Sequence, residues 1–205
     1  PPQIEGGILG SVVPALTGRV LGALQMLCSA RFLTVGPGLK SGIKLRLDNP
    51  AQLGAELLCG AVAALEEGPG PLAVISADTA ISIMAVNGKQ ELVGGVILPG
   101  PQLSLSALVQ KTAQLPQIDL SAPASSSILG KNTSACLQNG FVLGTAGLLD
   151  GLAERFQAEL GPDIRFYATG NLPRTIREAC RTPIEYREYL ITDGLYRIWQ
   201  KNRKG

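Results

Sequence analysis

The sequence contains no histidine. This absence excludes Ser/His/Asp triads, Cys/His dyads and every metal site that depends on imidazole ligands. Any catalysis must therefore rely on carboxylates, lysines, hydroxyls or backbone dipoles. Aromatic residues make up only 4% of the chain, and with a net charge of +2 the only cluster of like charges is a short basic one at the C-terminus. Nucleic-acid binding lacks both a basic patch and a stacking platform, so we expect none.

Cysteines are few, and long apolar runs are missing. The four cysteines lie far apart, which argues against a zinc site and favours reduced thiols: Cys28, Cys59, Cys136 and Cys180. No charge-free apolar run reaches the ~18 to 20 residues that a membrane span requires. The N-terminus also lacks the basic and apolar regions of a signal peptide. These observations predict a cytoplasmic protein with no metal ligands of its own and no membrane partner.

The composition is that of a folded chain. Hydrophobic residues account for 45% of the 205 residues and charged residues for 17%, which excludes intrinsic disorder. This length allows one large domain or two small lobes. The chain begins with Pro1 rather than methionine, which suggests a fragment or a processed chain.

The order of the sequence patterns predicts a mixed α/β fold. Residues 6–35 read as strand, helix and strand, and Asn49 followed by Pro50 predicts a helix that begins there and ends near Gly68. Three β-rich runs within 72–98 predict an antiparallel meander. Further patterns predict two helices, at 104–115 and 133–160, and a strand at 163–168. The last pattern predicts an amphipathic terminal helix at 190–202.

Eight short segments follow one another as in type III pantothenate kinases: GSVVP, VGPGLKSG, DNPAQLGAEL, GGVILPG, KTAQLP, GKNT, ATG and LITDGL. The resemblance covers nearly the whole chain. It implies an α/β, two-lobed actin-like (ribonuclease H-like) ATPase fold of mixed sheets with flanking helices. The strands of the family's N-terminal phosphate loop have no counterpart in this chain. We expect 1–68 to be the rest of the N-terminal lobe with a linking helix, and 69–205 the C-terminal lobe.

The resemblance also implies a reaction and a site. Members phosphorylate pantothenate, the first step of coenzyme A synthesis, using ATP, Mg²⁺ and a monovalent cation such as K⁺ or NH₄⁺, and they are homodimers. By position in the family's motifs, Glu56 would be the catalytic base. The residues that would bind pantothenate are Gly54, Ala55 and Thr133. Those that would bind the nucleotide are Thr79 and Gly170.

The chain departs from the family's motifs at five positions. Glu56 and Leu57 stand where the family has Asp and Arg, and Ser76 and Asp78 stand where it has Asp and Gly. Asn171 replaces the second glycine of the turn at Gly170 in the family's motif. Such charge and length changes weaken a site whose catalysis depends on position and electrostatics. We therefore expect a kinase with impaired turnover or, alternatively, an inactive pseudokinase that acts as a binding or regulatory subunit.

Structural interpretations of the same residues remain open. A carboxylate at the start of a helix stabilises the helix dipole, so Glu56 need not be catalytic. Thr79 is compatible with an ordinary strand residue and Thr133 with a helix N-cap. Glycines recur within the long helix at 140, 144, 147 and 151. They indicate either close packing inside the fold or a dimer seam, and the family's dimers favour the seam.

Overall fold

The computed structural model describes residues 4–124 and 127–203. Its strands are β1 (Gly6–Leu9), β2 (Arg31–Thr34), β3 (Lys44–Leu45), β4 (Leu72–Ala77), β5 (Ala80–Val86), β6 (Glu91–Pro99), β7 (Arg165–Gly170) and β8 (Ile184–Tyr186). Its helices are α1 (Pro14–Leu27), α2 (Ala55–Glu66), α3 (Pro101–Gln110), α4 (Thr133–Leu160), α5 (Arg174–Ala179) and α6 (Leu190–Asn202). Within these residues, no helix is both long enough and apolar enough to cross a membrane.

The larger sheet has six strands in the order β3-β6-β5-β4-β7-β8. Strands β4, β5 and β6 form the antiparallel meander predicted from the sequence, while β7 runs parallel to β4 and β8 parallel to β7. The smaller sheet consists of β1 and β2, which pair in parallel and are connected along the chain by α1. This architecture confirms the predicted α/β class, with mixed sheets and flanking helices.

Strand β4 is the centre of the core. All six of its residues are buried, which explains why its sequence is a continuous apolar run rather than an alternating one. Leu72 and Val74 face α2 and α6, whereas Ala73 and Ile75 face α4 and α5. The sheet therefore has a helical layer on each face, and β4 is shielded from water on both.

Helices α2 and α6 lie unusually close together. A side chain at Gly194 of α6 would collide with the backbone carbonyl group of Cys59 in α2. Only a residue without a Cβ allows this approach. The glycine of the LITDGL segment therefore fixes the distance between the two helices that cover one face of the sheet.

The start of α2 differs from the prediction. Asn49 does cap a turn at Pro50, because its side chain accepts a hydrogen bond from Ala51 N at 3.2 Å, but that turn is a 3₁₀ turn over Pro50–Gln52. Leu53 is extended and ends it, and α2 begins at Ala55 after Gly54. The prediction of a helix from Pro50 was therefore wrong by five residues.

Other boundaries also differ. Helix α3 spans Pro101–Gln110 rather than 104–115. Strands β3 and β8 were not predicted, because runs of two and three residues are too short to show a period. The division of the chain into 1–68 and 69–205 stays a prediction. Strand β3, from the first of these ranges, pairs with β6 in the second.

Candidate functional site

The candidate site lies at the N-terminus of α2. Gly54 is the N-cap and is extended, with φ −60° and ψ 139°, and its lack of a side chain leaves the cap without a side-chain hydrogen bond. Glu56 is in the first turn of the helix and is exposed. A carboxylate there is stabilised by the positive end of the helix dipole. The later start of α2 thus places Glu56 at the mouth of a cleft.

Glu56 reaches the central strand of the sheet. The hydroxyl of Ser76, in β4, donates a hydrogen bond to Glu56 Oε1. Ser76 is 5% exposed, so the bond anchors an exposed carboxylate to the buried core. The neighbouring thiol on α2 is not a nucleophile, since burial and the Glu56 carboxylate raise the pKa of Cys59 to about 12.

A cavity of about 260 Å³ opens beside this bond. It brings together three residues predicted from the sequence, Gly54, Glu56 and Thr79, and also Ser76 and Asp78. The remaining lining residues are Val12, Leu57, Ala80 and Ser82. Within 4–124 and 127–203, the two ionisable side chains that line it are both carboxylates, and no lysine or arginine lines it.

The turn between β4 and β5 is tied to the end of β7. Asn171 Nδ2 donates to Asp78 Oδ1 at 3.0 Å, and the Asn171 backbone N–H donates to the Ala77 carbonyl oxygen. Gly170, with φ +81°, adopts a left-handed conformation in which a side chain would collide with that same carbonyl oxygen. Gly170 does not line the cavity. Its role in the structure is to let Asn171 reach the turn.

Two more of the predicted binding residues, like Gly170, do not line this cavity. Ala55 is buried and lines the two adjoining cavities described below. Thr133 is the first residue of α4 and lines none of the three cavities. It is not the N-cap of that helix, because the Asn132 side chain accepts the hydrogen bond from Ala135 N at 2.8 Å. The structure does not bring Thr133 to Glu56 within one chain.

Two further cavities adjoin the first, and sequence reasoning identified neither. The larger, of about 750 Å³, lies between the glycine-rich loop 36–39 and the 3₁₀ turn that precedes α2. The smaller, of about 180 Å³, is bounded by Glu56 and Cys59 on α2 and by Ile191 and Leu195 on α6. The segment VGPGLKSG could have indicated the larger one, since a loop that is not regular structure often borders a pocket.

The cleft provides a poor set of groups for a magnesium nucleotide. Polyphosphates are held by cations and by unoccupied backbone N–H groups. Here the two charged lining groups are Glu56 and Asp78, both acidic, and the Ser76 hydroxyl already donates to Glu56. Among the described residues, no group of three or more acidic or thiol side chains could hold a metal ion. The residues described do not fit the nucleotide and cations that the family uses.

Comparisons with known proteins identify the family. The family model described as "Type III pantothenate kinase" matches residues 2–155. A protein named type III pantothenate kinase from Koribacter versatilis (strain Ellin345) is 36% identical over 200 residues, which is 98% of this chain and 72% of the relative. One of the same name from Exiguobacterium sp. (strain ATCC BAA-1283 / AT1b) is 35% identical over 202 residues, 98% of this chain and 78% of the relative.

Among solved structures, the chain is similar to a conserved putative Baf family transcriptional activator from Campylobacter jejuni. The TM-score is 0.45 at 18% identity, covering 89% of this chain and 88% of that one. The sequence matches are far stronger, since both relatives exceed a third identity over almost the whole chain. This chain belongs to the type III pantothenate kinase family.

Proposed function

We propose that this chain is a pantothenate kinase-like phosphotransferase whose turnover is strongly impaired. Its relatives are named type III pantothenate kinases, so the parent reaction is the ATP-dependent phosphorylation of pantothenate. The observation that carries the proposal is Glu56, an exposed carboxylate at a helix N-terminus, held by Ser76 in a cleft without a cation. Among its described residues, the cleft therefore has a carboxylate that can act as the base and lacks the positive charge that would stabilise the transferred phosphoryl group.

Glu56 would accept the proton of the substrate hydroxyl. Ser76 occupies Oε1 and fixes the direction of the carboxylate, which leaves Oε2 for the substrate. Gly54 lines the same cavity as Glu56, and Ala55 lines the two adjoining cavities, so both would lie along the bound acceptor. Orientation of the acceptor is therefore the contribution that this chain's residues retain.

Stabilisation of the transferred group is the contribution that is missing. Phosphoryl transfer depends on groups that neutralise developing negative charge. Leu57 stands where the family has an arginine and Asp78 where it has a glycine, so one positive charge is absent and one negative charge is added. Losing one such interaction typically costs ~2 to 4 kcal/mol of transition-state stabilisation, or about two to three orders of magnitude in rate.

The alternative, an inactive pseudokinase that binds or regulates a partner, is favoured by the hydrogen-bond pattern. The departures from the family's motifs occur largely in bonded pairs: Ser76 with Glu56, and Asn171 with Asp78. These polar groups satisfy one another without a ligand. A site under selection for stability alone would be expected to show this pattern.

We further propose a cytoplasmic homodimer that uses α4. A side chain added at Gly140, Gly144 or Gly147 would meet nothing within 4 Å, so this face of the helix is open. Leu148 beside it is 43% exposed. A long helix face of glycines and leucines would let a second copy approach closely.

The test is ADP release by the purified chain with pantothenate, ATP, Mg²⁺ and K⁺, compared with Glu56→Gln. Glutamine keeps the shape of the Glu56 side chain, and its amide oxygen can still accept the hydrogen bond from the Ser76 hydroxyl, but it cannot act as a base. Slow turnover in the wild type that falls at least tenfold in the variant is expected for the impaired kinase. Equal rates in both proteins, at the level of buffer, would refute it and leave the pseudokinase.

A further inference from the structure

The 750 Å³ cavity next to α2 is large enough for a small organic ligand. Its walls include the buried side chains of Val35 and Ile43, the loop 36–39 and the residues from Pro50 to Ala55. Among the residues that the structure describes, none of the side chains that line it is ionisable. The ammonium group of Lys201 contacts the Ser41 carbonyl oxygen of the same wall, at 3.5 Å, but Lys201 does not line the cavity.

Several polar groups of this wall already donate hydrogen bonds to other parts of the chain. The N–H of Leu39 donates to the Gly36 carbonyl oxygen, and that of Leu53 donates to the Pro50 carbonyl oxygen. The Ala51 N–H is taken by the side chain of Asn49, and the Ser41 hydroxyl donates to the Ile43 carbonyl oxygen. These donors are not available to neutralise an anion.

The positive end of the α2 helix dipole would attract an anion, but a carboxylate of this chain already lies there. The N-terminus of α2 borders the cavity through Gly54 and Ala55, and Glu56 places a carboxylate in its first turn. The adjoining 260 Å³ cavity shares Gly54 with the larger one and adds the carboxylate of Asp78. A second acid brought into this region would be repelled by Glu56 and Asp78, and no described residue places a cation in the lining of either cavity.

We propose that this cavity binds an uncharged counterpart of pantothenate: a hydroxyl-bearing amide chain that ends in an alcohol or a further amide instead of a carboxylate. The inference rests on the proposed function, because it assumes that the acceptor hydroxyl lies at Glu56 and the rest of the chain extends past Gly54 into the larger cavity. An unpaired carboxylate loses its hydration in such a wall, whereas an alcohol or amide loses much less.

The experiment is calorimetric titration of the whole chain with two probes that differ in one group, pantothenate and pantothenol, in which a primary alcohol replaces the carboxylate. We expect pantothenol to bind at least about tenfold more tightly. Gln52 lines the cavity and is exposed, so Gln52→Lys adds a cation with little change in size. This variant should bind pantothenate more tightly than the wild type does, and the matched neutral control Gln52→Met should not.

Equal or tighter binding of pantothenate by the wild type would overturn the inference while leaving the proposed function intact. Failure of both probes to bind at millimolar concentration would also overturn it. In that case the comparison of ADP release between the wild type and Glu56→Gln decides separately on the proposed function. An unchanged preference in Gln52→Lys would show that charge in this cavity does not select the ligand, which also contradicts the inference.

Discussion

Replacing Gly194 by alanine should destabilise the protein, although alanine is the better helix former. The added Cβ would lie 2.8 Å from the Cα of Cys59 and closer still to its carbonyl group. Ordinary contacts of a Cβ lie at 3.4–4 Å, and backbone cannot rotate away, so α6 would have to move outward by about 1 Å in a close-packed interior.

The cost follows from what α6 buries. Leu190 and Ile198 are 2% and 0% exposed and pack against the core under α2. Overpacking costs ~1 to 3 kcal/mol, and loosening these two side chains adds to it, while the helix preference of alanine returns ~1 kcal/mol. We expect a net loss of about 2 kcal/mol in the free energy of unfolding. Leu195 would move with the helix and alter the small cavity beside Glu56.

Urea unfolding followed by circular dichroism measures this change, with Gly22→Ala in α1 as the matched control. A Cβ at Gly22 would meet nothing within 4 Å, and the residue is exposed in mid-helix. The control should gain ~0.5 to 1 kcal/mol from helix propensity alone. If Gly194→Ala shifts the midpoint in the same direction as Gly22→Ala, the close approach of α2 and α6 is not what the glycine provides.

Three further predictions concern catalysis, assembly and pH. The combined variant Glu56→Asp, Leu57→Arg, Ser76→Asp and Asp78→Gly should release ADP faster than the wild type by at least an order of magnitude, because it restores the family's charges; unchanged turnover would show that these positions are not limiting. Gly144→Lys should convert a dimer to a monomer in light scattering at micromolar concentration, whereas Gly22→Lys should not, and a dimer in both would place the interface elsewhere. Burial raises the pKa of Asp150, but hydrogen bonds from the Arg181 and Thr182 backbone N–H groups outweigh this effect and hold that pKa below 3.8. Asp150→Asn should therefore lower the free energy of unfolding by ~1 to 3 kcal/mol at neutral pH. Thermal melts should show this cost shrinking as pH falls below about 4, because the wild-type carboxylate is then protonated.

Local sequence signals were sufficient to predict an element when residues at its two ends mark where it begins and ends. Helix α4 was predicted with its observed bounds, although its N-cap is Asn132 and not Thr133 as the sequence suggested; Gly161, at φ +107°, ends the helix. The antiparallel meander was predicted from its three β-rich runs, and the turn between β5 and β6 contains the pair Asn87–Gly88. The Asn87 side chain accepts from Lys89 N and Glu91 N, and the positive φ falls on Gln90 rather than on the glycine.

Long-range contacts could not be predicted from those signals. Glu56 and Ser76 are 20 residues apart and Asp78 and Asn171 are 93 apart, so no periodicity relates them. The start of α2 was mispredicted because a proline after a capping residue begins a 3₁₀ turn as readily as an α-helix. Five residues separate these two starts, and they decide whether Glu56 lies in the second turn of a helix or in the first turn, at the mouth of a cleft.

The pairing of the departures explains why they would be retained together. An aspartate at position 76 would place a second carboxylate against Glu56, and like charges at that distance repel. Serine converts the contact into a hydrogen bond, and the extra methylene of Glu56 spans the gap. Asp78 likewise has a donor in Asn171. Restoring the family's residue at Glu56 alone or at Ser76 alone therefore leaves the other without its partner, so either single restoration should be less stable than the wild type, whereas the four-residue variant changes both members of that pair.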